Sequence, residues 1–157
     1  MTAGDCVFCR IVAGGEPCSR VHEDDVSLGF MGIRPVRPGE LMIIPKEHID
    51  HFCDIPDDLA AHILLVAQRL SRAIRRTLRP RRVGLVVHGF GVPHAHLLVV
   101  PQHEPTDITS GRHIRLEEGR IVFGTRHLEV PREELDAMAA SLAGQPLSWV
   151  RRTCSPS

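Results

Sequence analysis

A chain of 157 residues is about one domain by the usual length prior, long enough to bury a core without disulfide staples. With 43% hydrophobic and 24% charged residues, and 19 basic against 19 acidic side chains, it lacks the charge excess of a non-specific nucleic-acid binder or an acidic tail. No apolar run approaches the roughly 20 residues that span a bilayer, and Met1-Thr2-Ala3-Gly4-Asp5 does not lead from a basic into an apolar region. No membrane or specific nucleic-acid partner is therefore expected, and a cytoplasmic location is.

Residues 6–13 set Val7, Phe8, Ile11 and Val12 at helical spacing before Gly14-Gly15, which predicts one short helix. Extended segments are expected at 20–22 and 26–32, on either side of the acidic turn Glu23-Asp24-Asp25. Residues 41–44, between the Pro38-Gly39 turn and Pro45, read as a buried strand. Leu59, Ile63, Val66, Leu70, Ile74 and Leu78 recur every three or four positions and predict a long helix over 57–79, stopped by Pro80. Asp57 and Asp58 suit the positive end of that helix, and Arg72, Arg75, Arg76 and Arg79 suit its negative end. With Arg81 and Arg82 the arginines can be read as an RNA-facing patch or as a solvated helix end; the dipole match favours the second. Strands are expected at 83–88 and 94–100, joined by Gly89-Phe90-Gly91-Val92-Pro93. A hairpin is expected at 112–123, turning at Glu117-Glu118-Gly119, and a last helix over 132–143. Hairpin-like strands with one long helix indicate an α+β fold on an antiparallel sheet.

The chemistry gathers around histidine and cysteine. The five cysteines, an odd number without a secretory signal, read as reduced thiols or metal ligands. Cys18, Cys53 and Cys154 show no partner pattern, and His22, His51, His62, His113 and His127 read as surface or structural residues. In a strand, His94 and His96 would face the same side, where they can bind a metal or an anion, act as a nucleophile, or be no more than half-exposed histidines. Cys6-Val7-Phe8-Cys9 has the spacing of a zinc chelate; a redox motif and plain free thiols are the alternatives, and the βαβ setting of the redox motif is missing. Thiolates from Cys6 and Cys9 with imidazoles from His48 and His94 would complete a Cys₂His₂ set of the structural-zinc kind.

Taken in order, Cys-x-Phe-Cys-x-Ile at 6–11, Phe-x-x-Ile at 30–33, Ile-Pro-Lys-x-His-Ile at 44–49 and Val-Pro-His-x-His followed by apolar residues at 92–98 resemble the histidine triad (HIT) family over about residues 5–103. The zinc-binding bacterial members are the most similar. The resemblance implies one HIT-like domain over 1–157, with a sheet of about five strands, one long helix and one or two short ones. A hairpin extension at 107–130, a C-terminal helix at 131–143 and a tail at 144–157 would follow the motif region. It implies a structural zinc on Cys6, Cys9, His48 and His94, with His96 as the nucleophile. The ligand it implies is a nucleotide or nucleotide conjugate, with the base in a slot of Val7, Phe8, Ile11, Phe30 and Ile33, positions that ordinary core packing also explains. Backbone amides at Gly89 and Gly91 can approach the phosphate closely, and His88 reads either as a donor to it or as an ordinary strand-end histidine. The reaction would be hydrolysis or transfer at the α-phosphate through a covalent nucleotidyl-histidine, in a homodimer. The chain departs from the family where Leu98 replaces the third triad histidine, Gly32 the ribose-binding aspartate, and Val87-His88-Gly89 an asparagine-rich approach. Those losses favour the alternative, a catalytically weak nucleotide-binding or interaction module on the same scaffold.

Overall fold

The computed structural model describes residues 5–87, 89, 91–108, 114–123 and 128–145. Within them the elements run α1 (Val7–Val12), β1 (Arg20–Glu23), β2 (Ser27–Met31), β3 (Leu41–Pro45), α2 (Asp57–Leu78), β4 (Arg82–Val87), β5 (Leu97–Gln102), β6 (Ile114–Glu117), β7 (Arg120–Phe123) and α3 (Arg132–Ala143). A short 3₁₀ turn at Phe52–Asp54, not expected from the sequence, leads into α2. The first five strands form an antiparallel sheet in the order β1-β2-β3-β5-β4, and β6 and β7 form a separate hairpin. The α+β architecture expected from the sequence is therefore the observed one.

The period-2 alternation of the central strands divides their side chains between two layers. Leu41 and Ile43 of β3 join Leu97 and Val99 of β5 beneath Ile63, Val66, Leu70 and Ile74 of α2, with Leu135, Ala139 and Leu142 of α3 alongside. On the opposite face Leu28 and Phe30 of β2 and Ile44 of β3 pack with Phe8 and Ile11 of α1. Helix α2 needs no side-chain N-cap, because Asp57 and Asp58 meet its positive end. It stops where Arg79 turns left-handed (φ 51°) ahead of Pro80. Gly39 has φ 90°, a backbone conformation that glycine takes without strain, and a Cβ there would have to displace the end of the Leu78 side chain.

The strand expected at 94–100 begins only at Leu97. The backbone groups before it are engaged elsewhere. The His94 carbonyl accepts a hydrogen bond from a side chain, the His96 ring, at 2.7 Å, while the Ala95 amide donates to Ile49 O at 2.6 Å. The ladder with β4 accordingly ends at Val87 opposite Leu97. In the hairpin, Glu118 (φ 52°) and Gly119 (φ 79°) make the tight two-residue turn. His88, Phe90, His113, His127, residues 112 and 124–127, and the tail from 146 lie outside the described residues.

Candidate functional site

The short helix α1 carries the two thiols. Cys6 is its N-cap, in extended conformation and fully buried, and Cys9 follows within the first turn. His94, also fully buried, turns Nδ1 toward both sulfurs, 3.5 Å from Cys6 Sγ and 3.6 Å from Cys9 Sγ. His48, just past β3, sets its Nδ1 3.2 Å from Cys9 Sγ, with its ring against the His94 ring. All four ligand atoms lie within 4.8 Å of one another, so the group can hold a metal ion. A tetrahedral zinc with bonds of about 2.3 Å to sulfur and 2.05 Å to nitrogen requires a sulfur–nitrogen edge of about 3.6 Å. The three sulfur–nitrogen distances of 3.2, 3.5 and 3.6 Å fit that requirement with little movement. The outer partner is present too, because His94 Nε2–H donates to Pro45 O at 2.9 Å and leaves the Nδ1 lone pair facing the thiols. Burial, and then the nearby His48 and His96 rings, hold the His94 imidazole below its ordinary pKa, which keeps it neutral as a ligand must be. Burial and the neighbouring Cys6 thiol push Cys9 up to about 11. That is the opposite of the depressed thiol a disulfide oxidoreductase uses.

His96 stands beside this group, 6% exposed. Its Nδ1–H donates to the His94 carbonyl at 2.7 Å, which assigns the proton to Nδ1 and the lone pair to Nε2. The Phe8 ring meets His96, His94 and Phe30 edge-on, with centroids 5.6, 5.8 and 5.5 Å away. Val7, Phe8, Ile11 and Phe30 therefore do come together, in an apolar cluster that Val92 and Met42 join. Ile33 does not: it lies outside that cluster and is 61% exposed. Gly89 and Gly91 are exposed, with open space where a side chain would be, and His88 lies outside the described residues. Leu98, half-buried, is opposite Met42 on one side and Val86 on the other. At Gly32 a Cβ would sit 3.6 Å from Glu40 Oε1, an ordinary contact.

Two features escaped the sequence reading. Asp107, 6% exposed, ties the 103–107 turn to Arg37, and His22, Asp24 and His62 converge from separate elements. Neither had a signal in sequence spacing, since 70 positions separate Arg37 from Asp107 and 38 separate Asp24 from His62.

The chain belongs to the HIT family: the HIT domain profile matches residues 14–105, more than half of it. It is similar to Protein hit of Bacillus subtilis, 32% identical over 110 residues that make up 67% of this chain and 76% of that protein. It is 33% identical over 99 residues to an adenosine 5'-monophosphoramidase of Schizosaccharomyces pombe, covering 62% of this chain and 74% of that enzyme. Among solved structures it resembles a zinc-bound histidine triad family protein of Mycobacterium smegmatis, at 30% identity and a TM-score of 0.69, over 90% of this chain and 96% of that one. One of these relatives is thus named as an adenosine 5'-monophosphoramidase, and one similar structure is zinc-bound.

Proposed function

We propose that the protein is a HIT-type hydrolase or transferase acting at the α-phosphate of a nucleotide or nucleotide conjugate, with His96 as the covalent nucleophile. The observation that carries this reading is the 2.7 Å bond from His96 Nδ1–H to the His94 carbonyl. It holds one tautomer in place, so Nε2 can attack phosphorus, and it disperses the positive charge that develops on the ring as the P–N bond forms. The leaving group departs, and water then cleaves the P–N bond to release the nucleotide and regenerate the imidazole. Val7, Phe8, Ile11, Phe30 and the exposed Ile33 would border the base. The amides at Gly89 and Gly91, with His88, would face the phosphate.

Cys6, Cys9, His48 and His94 would hold one structural zinc, which when bound ties α1 to the segments after β3 and before β5. The carbonyl that orients His96 belongs to His94, so the same anchor positions the nucleophile. Leu98 supplies no charge to the phosphate, and Gly32 no ribose contact. These losses slow the reaction and favour the second reading, a weak nucleotide-binding module. A homodimer is supported by the edge of β4, which pairs with no further strand among the described residues, and by the exposed apolar side chains Phe52, Leu64, Leu85 and Val87 around a hollow of about 390 Å³. No described helix is long and apolar enough to cross a membrane. Free Cys6, Cys9, Cys18 and Cys53 are in keeping with a reducing, cytoplasmic setting.

Incubation with an adenosine phosphoramidate, followed by intact mass and product analysis, tests the enzyme reading. Wild type is expected to form an acid-labile nucleotidyl adduct and turn over slowly, His96→Ala to do neither, and Leu98→His to gain rate. Leu98→His alone is the cleaner gain variant, because Gly32→Asp would place a second carboxylate beside Glu40. Equal rates in wild type and His96→Ala, or no adduct in either, leave the binding-module reading standing.

A further inference from the structure

The register of β1 against β2 slips between Arg20 and His22. Such a bulge re-aims side chains, and here it sends two successive ones to the same side. A Cβ at Gly29 would meet His22 Cβ at 3.2 Å, Val21 Cγ2 at 3.4 Å and Leu70 Cδ1 at 3.5 Å, so both residues lie on the α2 side of β2. There His22 meets Asp24 from the β1–β2 turn and His62 from the second turn of α2. Both rings aim the same nitrogen at one oxygen: Nε2 of His22 is 2.9 Å, and Nε2 of His62 is 2.7 Å, from Asp24 Oδ2. The other carboxylate oxygen, Oδ1, accepts from the Val26 amide (3.0 Å), the Ser27 amide (2.7 Å) and the Ser27 hydroxyl (2.9 Å). The carboxylate is therefore fixed in rotation, with Oδ2 presented to the rings. Ser27 Oγ lies 3.3 Å from His22 Nε2 and 3.5 Å from His62 Nε2.

We propose that His22, Asp24 and His62 form a second metal site, for a divalent transition cation of the zinc type, separate from the cysteine–histidine group. The three ligand atoms lie within 4.8 Å of one another. Two imidazoles and one carboxylate are the donors of zinc, nickel or copper sites, whereas calcium and magnesium take oxygen ligands. Bonds of about 2.0–2.2 Å require a nitrogen–oxygen edge of about 3.4 Å, so the group opens by about half an ångström to admit the ion. The side chains are 15%, 29% and 36% exposed for His22, Asp24 and His62, so the ion reaches them from solvent and water takes the remaining position. Without the ion the same arrangement is held by Nε2–H donation to Asp24; with it, each neutral imidazole carries its proton on Nδ1 and gives Nε2 to the metal. The Val26 and Ser27 contacts are the outer bonds that orient a ligating carboxylate. A bound ion would tie the β1–β2 turn to α2 across 38 positions of sequence.

The test compares tag-free wild type, His62→Gln and Asp24→Asn, each first saturated with zinc and then dialysed against graded micromolar Zn²⁺. All three keep the cysteine–histidine group intact, so the difference between them does not depend on whether that group binds zinc. Asp24→Asn also keeps an oxygen for the Val26 and Ser27 amides, and circular dichroism checks that each variant is folded. Wild type is expected to hold one zinc per chain more than His62→Gln, and Asp24→Asn to bind that ion about tenfold or more weakly. Added zinc should raise the melting temperature of wild type more than that of His62→Gln. Equal zinc content in wild type and His62→Gln, or an equal rise in melting temperature, overturns the proposal.

Discussion

The two faces of the five-stranded sheet carry out different work with neighbouring residues of the same strands. Ile43 packs under α2, whereas Ile44, one position on, packs under α1 against Phe8 and Phe30. The α2 face is a broad apolar layer closed by the long helix and α3. The α1 face is thinner and shares its space with Cys6, Cys9, His94 and His96. Burying His94 and His96 there carries a desolvation cost, offset by their bonds to the Pro45 and His94 carbonyls. The contrast teaches that one face holds the sheet together while the other can be given over to polar groups that a purely hydrophobic layer would not tolerate.

That division can be tested by disturbing each face in turn. The largest effect is expected on the α1 face. If Cys6, Cys9, His48 and His94 hold zinc as proposed, chelation in the His62→Gln background, or Cys9→Ser, should remove about 4 kcal/mol of stability when free zinc stands a thousandfold above the dissociation constant of that group. Denaturant unfolding with and without chelator measures it, and a wild type indifferent to chelator would show that the α1 face holds by packing alone. On the opposite face Ile74, fully buried in α2, is expected to cost about 3 kcal/mol when replaced by alanine. Turnover per folded molecule of Ile74→Ala should equal wild type; a loss of rate without a loss of folded protein would mean that the two faces are coupled.

The smallest effect lies outside both layers. Burial pushes the Asp107 carboxyl up, but the Glu104 and His103 amides and the Arg37 guanidinium outweigh it and hold the group below its usual range. A depressed carboxyl contributes fully above its unfolded pKa of about 3.9, and its contribution is lost as the pH falls through the lower folded value. Asp107→Asn should therefore cost about 1–3 kcal/mol at pH 7. The gap from wild type should close as the pH drops below about 4, as read from urea midpoints across pH. A gap that stays constant with pH would assign the role of Asp107 to shape rather than charge.

How much of this was legible depended on the range of the interaction involved. The α2 stripe, its charged ends and its stop at Arg79-Pro80 depend on residues a turn apart, and the observed helix differs from the expected one by a single residue at its end. The α3 bounds and the Glu118-Gly119 turn are local in the same sense. The start of β5 was not legible, because the ladder is displaced there by a side-chain bond to a backbone carbonyl and by the distant Ile49. The four metal-competent residues were named from an ordered motif, and their geometry came only with the fold.

Spacing and order along the chain determined the helices, most strand positions, the family and the identity of the residues on the α1 face, because each rests on periodicity or on a motif written in consecutive positions. Tertiary structure alone decided that His94 turns Nδ1 to the thiols, that His96 holds its proton on Nδ1, and that His22 and His62 share one carboxylate oxygen. A side chain's direction and its tautomer are set by whichever carbonyl, sulfur or carboxylate packing brings within about 3 Å. For His94 and His62 that neighbour lies many positions away in sequence, while His22, two residues from Asp24, shares its carboxylate only because the fold brings His62 alongside.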